Sequence, residues 1–376
     1  MTARHRRAGK PRDPHLDNVK GILILLVVTG HFIEPMAQSQ PAADLYQFIY
    51  LFHMPAFALV CGYFSQHWRM DGRHVRGLIT DIIIPFVVFS TASNIDIAWT
   101  THTWTASQLF CLLSPPDVMW FLMALFAWRV SSPLWLSLKA PIAVAGALVI
   151  STVFPFDQHL DSTLSAGRIL SLLPFFVIGL VIRPGLIAWL HHWPVRLVSA
   201  VYFLALVYAV LRQKQLFAHM SLGMFGPYAP SVPWQINVTA RLGHIALALA
   251  ATCALISLAP RRRFALTTLG RNTMQIYLFH YLVIRAAWYF IAPLGVAVPP
   301  QPFRNVILGI VFAVALAAGL GCEPVAHLLG YVARPAWLTA AMTRRRNVWT
   351  RSLRSSDIPD RSPAMAIPTF RDSPTR

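Results

Sequence analysis

Long apolar runs separated by short polar segments recur along the whole chain. Ten of them reach or approach the roughly 20 residues that a helix needs to cross a bilayer. None shows the apolar–polar alternation of a barrel strand, and a backbone in lipid must satisfy its own hydrogen bonds. The pattern therefore predicts an all-α polytopic membrane helix bundle with about ten transmembrane helices. The runs cover residues 18–36, 45–65, 78–99, 116–131, 140–155, 167–183, 195–211, 240–259, 273–292 and 304–330.

The composition supports this class. Hydrophobic residues make up 56% of the 376 residues and charged residues only 12%, whereas a soluble domain has about 25% charged residues. So few charged groups would cover the surface of a soluble enzyme poorly. The same values exclude a disordered chain and a fibrous chain.

The charge is strongly basic, with 32 Lys and Arg against 14 Asp and Glu and a formal net charge of +18. In a soluble protein this excess would suggest nucleic acid. If the ten runs cross in alternation, however, 26 of the 32 basic residues fall on one side of the membrane. Because cytoplasmic loops carry the Lys and Arg excess, we expect both termini in the cytoplasm and no nucleic-acid partner.

These observations divide the chain into three parts. We expect a basic cytoplasmic tail over 1–17, a transmembrane domain over 18–330, and a basic, Pro- and Ser-rich tail over 331–376 that is disordered. A cleaved signal peptide is an alternative for the first run, but His31 and Glu34 follow that run without a small-residue cleavage site. The long external loop 212–240 is either a lid over a site or a plain surface loop.

The four cysteines, at 61, 111, 253 and 322, form no CxxC pair and no Cys/His ligand spacing. They indicate neither a zinc site nor a disulfide framework. We expect no metal and no permanently bound cofactor.

The first helix carries the strongest candidate chemistry, because ionisable groups inside a membrane are costly and mark function. Spacings of 3 and 4 place one set of residues on a single helical face, with His31 about 16 Å along the axis from Lys20. A neutral imidazole is a general base or nucleophile near pH 7, and Glu34 one turn on would orient it. The alternative is a histidine near water at a helix end, with Lys20 as a membrane anchor. The face consists of Asp17, Lys20, Ile24, Val27, His31 and Glu34.

Two further candidate histidines, His53 and His280, lie inside predicted spans. His53 precedes Pro55, which frees a backbone carbonyl and suits a cavity wall. His280 lies in the ninth span with Arg285. Taken singly, each is better explained as a hydrogen-bonded core residue, but His31, His53 and His280 together favour a site.

Several segments resemble the acyltransferase-3 family of membrane acyltransferases, in its fucose 4-O-acetylase-like branch. The first is the most specific, because a basic residue is followed by ten residues and then by histidine. The family usually has arginine there, whereas Lys20 keeps the charge without the bidentate fork. In family order, the segments are 16-LDNVKGILILLVVTGHF-32, 48-FIYLFHMPAFALVCGYF-64, 119-MWFLMALFAWR-129, 167-GRILSLLPFFVIGL-180 and 269-LGRNTMQIYLFHYLV-283.

The resemblance implies transfer of an acyl group, usually acetyl, from cytoplasmic acyl-CoA to a sugar hydroxyl of a cell-surface glycan or lipid-linked precursor. Lys20 and Arg271 would bind the CoA phosphates. His31, with Glu34, would deprotonate the acceptor or carry the acyl group. Arg168 would hold the acceptor or the thioester oxyanion, while His53, Trp120 and His280 would line the cavity. A multi-pass protein of a bacterial plasma membrane is the expected setting.

Two other functions fit the composition. A non-enzymatic transporter or flippase for a glycan or secondary metabolite would need alternating access, and the chain shows no internal inverted repeat. A purely structural membrane partner would tolerate replacement of its histidines.

Overall fold

The computed structural model describes residues 14–105, 114–157, 165–213, 226–291, 293 and 302–333. Within these ranges the chain forms helices and turns but no strand. The chain divides into two units, Met1–Arg334 and Pro335–Arg376, and every described residue belongs to the first. Apart from residues 14–17 and 331–333, the two predicted tails lie outside the described residues.

Fourteen helices are present in this part of the chain. A turn of π-helix, Ile79–Ile83, makes α3 and α4 continuous, and short 3-10 turns cover Glu34–Met36, Asp117–Met119 and Phe154–Phe156. The helices are α1 Pro14–Ile33, α2 Gln40–Phe64, α3 Gly72–Leu78, α4 Ile84–Thr101, α5 Trp120–Ser137, α6 Ala140–Val153, α7 Ala166–Val181, α8 Pro184–Trp189, α9 Trp193–Arg212, α10 Trp234–Leu258, α11 Ala265–Arg271, α12 Thr273–Ile291, α13 Pro302–Gly321 and α14 Glu323–Ala333.

The predicted fold class is confirmed, since each predicted apolar run overlaps one of the longer helices of an all-α bundle. Among the described residues, six helical segments are long and apolar enough to cross a membrane, and two apolar helices, Ala140–Phe156 and Ala166–Val181, are shorter. The side of the membrane on which each terminus lies stays a prediction. The six are Pro14–Met36, Gln40–Phe64, Gly72–Thr101, Trp193–Arg212, Trp234–Leu258 and Phe303–Gly321.

The centre of the bundle is α1, which packs against α2, α11, α12 and α13. Val19, Leu23 and Ile24 on α1 are fully buried. By contrast, α9 exposes large apolar side chains such as Val198 and Leu204, which are 68% and 73% accessible. An apolar surface of this kind is typical of a helix that faces lipid.

The prediction of one helix over 304–330 is wrong. The helix α13 ends at Gly321 and α14 begins at Glu323, because Pro324 has no N–H and its ring collides with the carbonyl one turn earlier. Asn272 donates a 2.8 Å hydrogen bond from Nδ2 to the Gly321 carbonyl oxygen. This bond satisfies a backbone acceptor at the helix end, where lipid offers no donor.

The external loop is also shorter than predicted. The helix α10 begins at Trp234, so the last residues of the predicted loop 212–240 belong to a helix. Residues 214–225 of that loop lie outside the described part of the chain. The two readings of the loop, a lid or a plain surface loop, therefore both stay open.

Arg285, the charge inside the ninth predicted span, is paired with a carboxylate. Its Nε donates to Asp96 Oδ2, and its Nη2 lies 3.3 Å from Thr100 Oγ1. The pair joins α12 to α4. Removing one partner alone would leave the other charge without compensation in a poorly solvated position.

Two glycines allow the backbones of α2 and α7 to touch. A Cβ on Gly62 would overlap the carbonyl oxygen of Phe176, and a Cβ on Gly179 would overlap that of Leu59. Small residues at such crossings allow membrane helices to pack by close van der Waals contact. This contact therefore fixes the separation of α2 and α7.

We expect Gly179→Ala to lower the thermal stability of the purified protein, because the added methyl forces α2 and α7 apart and overpacking costs about 1–3 kcal/mol. Gly243→Ala on α10 is the matched control, since a Cβ there meets nothing within 4 Å. Size-exclusion chromatography after heating would measure both variants in detergent. Equal melting temperatures for the two variants would contradict this account of the helix crossing.

Candidate active site

A cavity of about 970 Å³ runs inside the bundle between α1, α2, α5, α7, α11 and α12. On α2 its wall extends from Tyr46 to Phe64, and 18 residues of helix span about 27 Å. The cavity is therefore nearly as long as a bilayer's hydrocarbon layer is thick. The α2 wall consists of Tyr46, Tyr50, His53, Met54, Phe57, Val60, Cys61 and Phe64.

The predicted face of α1 forms the opposite wall. Lys20, Ile24, Val27 and His31 all line the cavity, and so does Glu34 in the turn that follows α1. The spacing of these residues in the sequence therefore identified a real surface. Since Lys20 and His31 lie at separate points along α1, the cavity has two chemically different ends.

We call the first the basic end, defined by Lys20, Arg129 and Arg271, which all line the cavity. The Lys20 ammonium nitrogen lies 2.8 Å from Asp17 Oδ1 and 5.2 Å from the centre of the Phe64 ring. Arg271 contacts Glu323 at 3.6 Å, a pair in which both side chains are largely exposed. The end therefore keeps net positive charge inside the cavity.

Arg129 was not predicted as a site residue, because its charge was counted only toward membrane orientation. Its Nε is buried and has no hydrogen-bond partner among the described residues. Leu122, Leu125 and Arg129 are spaced 3 and 4 apart, and all three line the cavity. That spacing is the signal in the sequence that could have identified it.

We call the second the histidine end, defined by His31, Glu34, Tyr46, Tyr50 and Arg168. His31 Nδ1 lies 3.3 Å from Glu34 Oε2 and 3.4 Å from the Tyr50 hydroxyl. When Nδ1 carries the proton, it donates to the carboxylate, and Nε2 keeps a free lone pair. This is the arrangement in which a carboxylate orients a histidine as a general base.

Tyr50 is a second residue that the sequence did not single out. Its ring stacks on that of Tyr46, with ring centres 3.8 Å apart, and its hydroxyl reaches His31. A tyrosine in an apolar run gives no sign of its partner, because His31 lies on a different helix. Only the packing of α1 against α2 brings the two together.

The other two predicted site histidines, His53 and His280, differ in how they lie relative to the cavity. His53 lines the cavity, and its Nδ1 donates to the Ile49 carbonyl at 2.8 Å. His280 is fully buried and is not among the cavity-lining residues; its ring centre lies 5.6 Å from that of His31. Its Nδ1 donates to the Tyr277 carbonyl at 2.7 Å, so it packs behind His31.

Trp120 and Arg168 lie together on the cavity wall. Trp120 is the first residue of α5, and Arg168 lies in the first turn of α7. The guanidinium carbon of Arg168 lies 5.3 Å from the centre of the Trp120 ring. Stacking on an aromatic face holds an arginine in place while leaving its N–H donors free. The pair therefore presents a fixed cation to the cavity.

A buried arginine supports the wall beside Arg168. Arg241 donates from Nη1 to the Ser151 carbonyl at 3.0 Å and from Nη2 to the Gly226 carbonyl at 3.0 Å. Gly226 lines the cavity, and the Arg241 guanidinium lies over the Tyr228 ring. These contacts tie the segment before α10 to the end of α6.

The cavity thus connects a carboxylate-paired histidine with a cluster of cations. Seven of the eight predicted site residues line it: His31, Glu34, Lys20, Arg271, His53, Trp120 and Arg168. Such a cavity can hold an anionic ligand at one end while its far part lies beside a base. The chemical roles of the individual residues stay predictions.

Comparison with known proteins agrees with this chemistry. The family described as "Acyltransferase domain" matches residues 13–322. "Nodulation protein NolL" of Mesorhizobium japonicum is 23% identical over 367 aligned residues, which cover 86% of this chain and 89% of NolL. No solved structure matches the chain.

We expect the basic end to bind polyphosphate anions, because charge-assisted hydrogen bonds to Arg and Lys are strong where water is scarce. Inorganic pyrophosphate should raise the melting temperature of the wild-type protein, since a ligand that binds only the folded state stabilises it. The rise should shrink in Arg129→Gln and persist in Arg196→Gln, which alters an exposed arginine on α9. An equal rise in all three proteins would show that Arg129 holds no anion.

Proposed function

The chain belongs to the acyltransferase-3 family, and we propose that it is an O-acyltransferase that uses cytoplasmic acyl-CoA, with acetyl as the expected acyl group. The proposed acceptor is a sugar hydroxyl of a cell-surface glycan or a lipid-linked precursor. The observation that carries the proposal is the single cavity between the basic end and His31. As a member of this family, the protein is a membrane acyltransferase; the O-linkage, donor and acceptor are the proposal.

In the proposed complex, the CoA phosphates bind Lys20, Arg129 and Arg271, and the pantetheine arm extends along the cavity. The distance along α1 from Lys20 to His31 is about 16 Å. An extended thiol arm covers such a distance, so the thioester carbonyl comes to lie beside the imidazole. The positive charge at the basic end compensates the phosphates, while the acyl group lies at the histidine end.

The proposed chemistry needs one proton acceptor and one proton donor, and His31 serves as both. Its Nε2 takes the proton of the acceptor hydroxyl as the oxygen attacks the thioester carbonyl. The carbon–sulfur bond then breaks, and the imidazolium returns the proton to the leaving thiolate. Glu34 stabilises the imidazolium through Nδ1. A covalent acyl-His31 intermediate is the second route, which ping-pong kinetics would indicate.

The proposed orientation places the basic end at the cytoplasm, where acyl-CoA is found. It rests on the 26 of 32 basic residues that fall on one side when the ten predicted spans alternate, because cytoplasmic loops carry the excess of Lys and Arg. From the predicted spans and the family, we also propose that the chain is a multi-pass protein of a bacterial plasma membrane. The histidine end then faces the outer half, where glycans and lipid-linked precursors are accessible.

We expect His31→Ala to fold and insert but to abolish acyl transfer, because no other cavity-lining histidine is paired with a carboxylate among the described residues. Membranes containing the variant would be incubated with labelled acetyl-CoA, and extracted glycans and lipids would be analysed by mass spectrometry. His327→Ala, on an exposed position of α14, should keep wild-type activity. Transfer at the wild-type rate by His31→Ala would refute the mechanism, and substrate movement without label transfer would favour a transporter.

Glu34→Gln should lower kcat by roughly one to two orders of magnitude and leave KM for the donor little changed. The amide cannot stabilise the imidazolium as a carboxylate does, although it still contacts Nδ1. Steady-state kinetics with acetyl-CoA measures both constants. A change confined to donor KM would place Glu34 in binding instead of catalysis.

A further inference from the structure

Among the described residues, no neighbouring carboxylate balances the charge on Arg168. The side chain is half-buried and lines the cavity. Its guanidinium lies over the Trp120 ring, and no described carboxylate forms an ion pair with it. Glu34, the acidic group at the same end of the cavity, has its contact with His31 instead.

Three other cations of the bundle each have a carboxylate partner. Lys20 is paired with Asp17, Arg271 with Glu323 and Arg285 with Asp96. Arg129 also has no carboxylate partner in the described part of the chain, but it lies at the basic end, where the proposed donor brings phosphates. Arg168 is the cavity cation that the donor does not account for.

A half-buried guanidinium without a counter-charge is unfavourable where water is limited. Its planar fork binds a carboxylate or a phosphate through two parallel hydrogen bonds. The stack on Trp120 fixes the fork, so little rotational freedom remains to be lost on binding. These features describe a preformed site for an oxyanion on the cavity wall.

We propose that the acceptor is an anionic sugar, whose phosphate or carboxylate group binds Arg168 while a hydroxyl of the same molecule faces His31. This inference rests on the proposed acyltransferase function and specifies its acceptor. Arg168 is then a specificity-determining residue that touches the substrate.

The arrangement of the histidine end gives the acceptor one orientation. Glu34, Tyr46 and Arg168 all line this cavity, so an acidic and a basic group both face a bound acceptor. An anionic group is repelled by Glu34 and attracted by Arg168. The neutral hydroxyl is therefore the part of the sugar that approaches Glu34 and His31, as the transfer requires.

Ligand binding tests the inference without depending on turnover. The probes are octyl glucoside, octyl glucuronide and octyl glucosyl phosphate, which share the sugar and tail and differ in charge. Dissociation constants would be measured by calorimetry on wild type, Arg168→Gln and Arg129→Gln in a maltoside detergent. Comparing the two anionic probes distinguishes a carboxylate from a phosphate as the preferred group.

Wild type should bind at least one anionic probe about tenfold or more tightly than the neutral glucoside, which is the range of a charge-assisted hydrogen bond. The preference should disappear in Arg168→Gln and persist in Arg129→Gln. No preference in wild type, or a preference that survives Arg168→Gln, would overturn the inference.

The proposed function and this inference fail in different ways. If Arg168 served the thioester oxyanion instead, Arg168→Gln would lower kcat equally for charged and neutral acceptors and leave the ratio of dissociation constants unchanged. If the acyltransferase proposal were wrong, wild-type membranes would transfer no label from acetyl-CoA to any extracted lipid or glycan. The binding preference would be measured in either case.

Discussion

The cost of exposing charge to hydrocarbon determines how this bundle is arranged. A charged side chain near the middle of a bilayer has no solvent, so it must face the protein interior or a water-filled cavity. The polar face of α1 is therefore enclosed by other helices, and 72% of the apolar window of Pro14–Met36 is buried. The corresponding value for Trp193–Arg212, which has no such face, is 17%.

The same constraint explains how the helices around α1 are joined. Fully buried Asn18 on α1 donates from Nδ2 to the carbonyls of Pro260 and Arg262 at 2.8 Å each, and its Oδ1 accepts from Thr267 at 2.6 Å. These bonds satisfy loop carbonyls just before α11, the helix that carries Arg271. The anchoring of α1 thus also positions one of the cations of the basic end.

What the sequence could predict was the information held within single helices. The face from Lys20 to His31 followed from helical spacing, and the apolar runs placed the helices. The break at Gly321 was missed, because the apolar run continues through it. A single proline removes one backbone hydrogen bond but hardly changes the hydropathy averaged over the run. Tyr50 was missed because its significance depends on a contact between two helices, and such contacts are set by packing that no single segment encodes.

The contact geometry around His31 restricts which form of the imidazole can act. Nδ1 has a single hydrogen-bonding position, and both Glu34 and Tyr50 reach it. If Tyr50 donates to Nδ1, the proton of a neutral ring must sit on Nε2, which then cannot act as a base. If Nδ1–H donates to Glu34, Nε2 is free to take a proton. In the proposed mechanism, Glu34 therefore selects the competent tautomer, and the balance between a carboxylate and a phenol at Nδ1 sets the fraction of protein that can react.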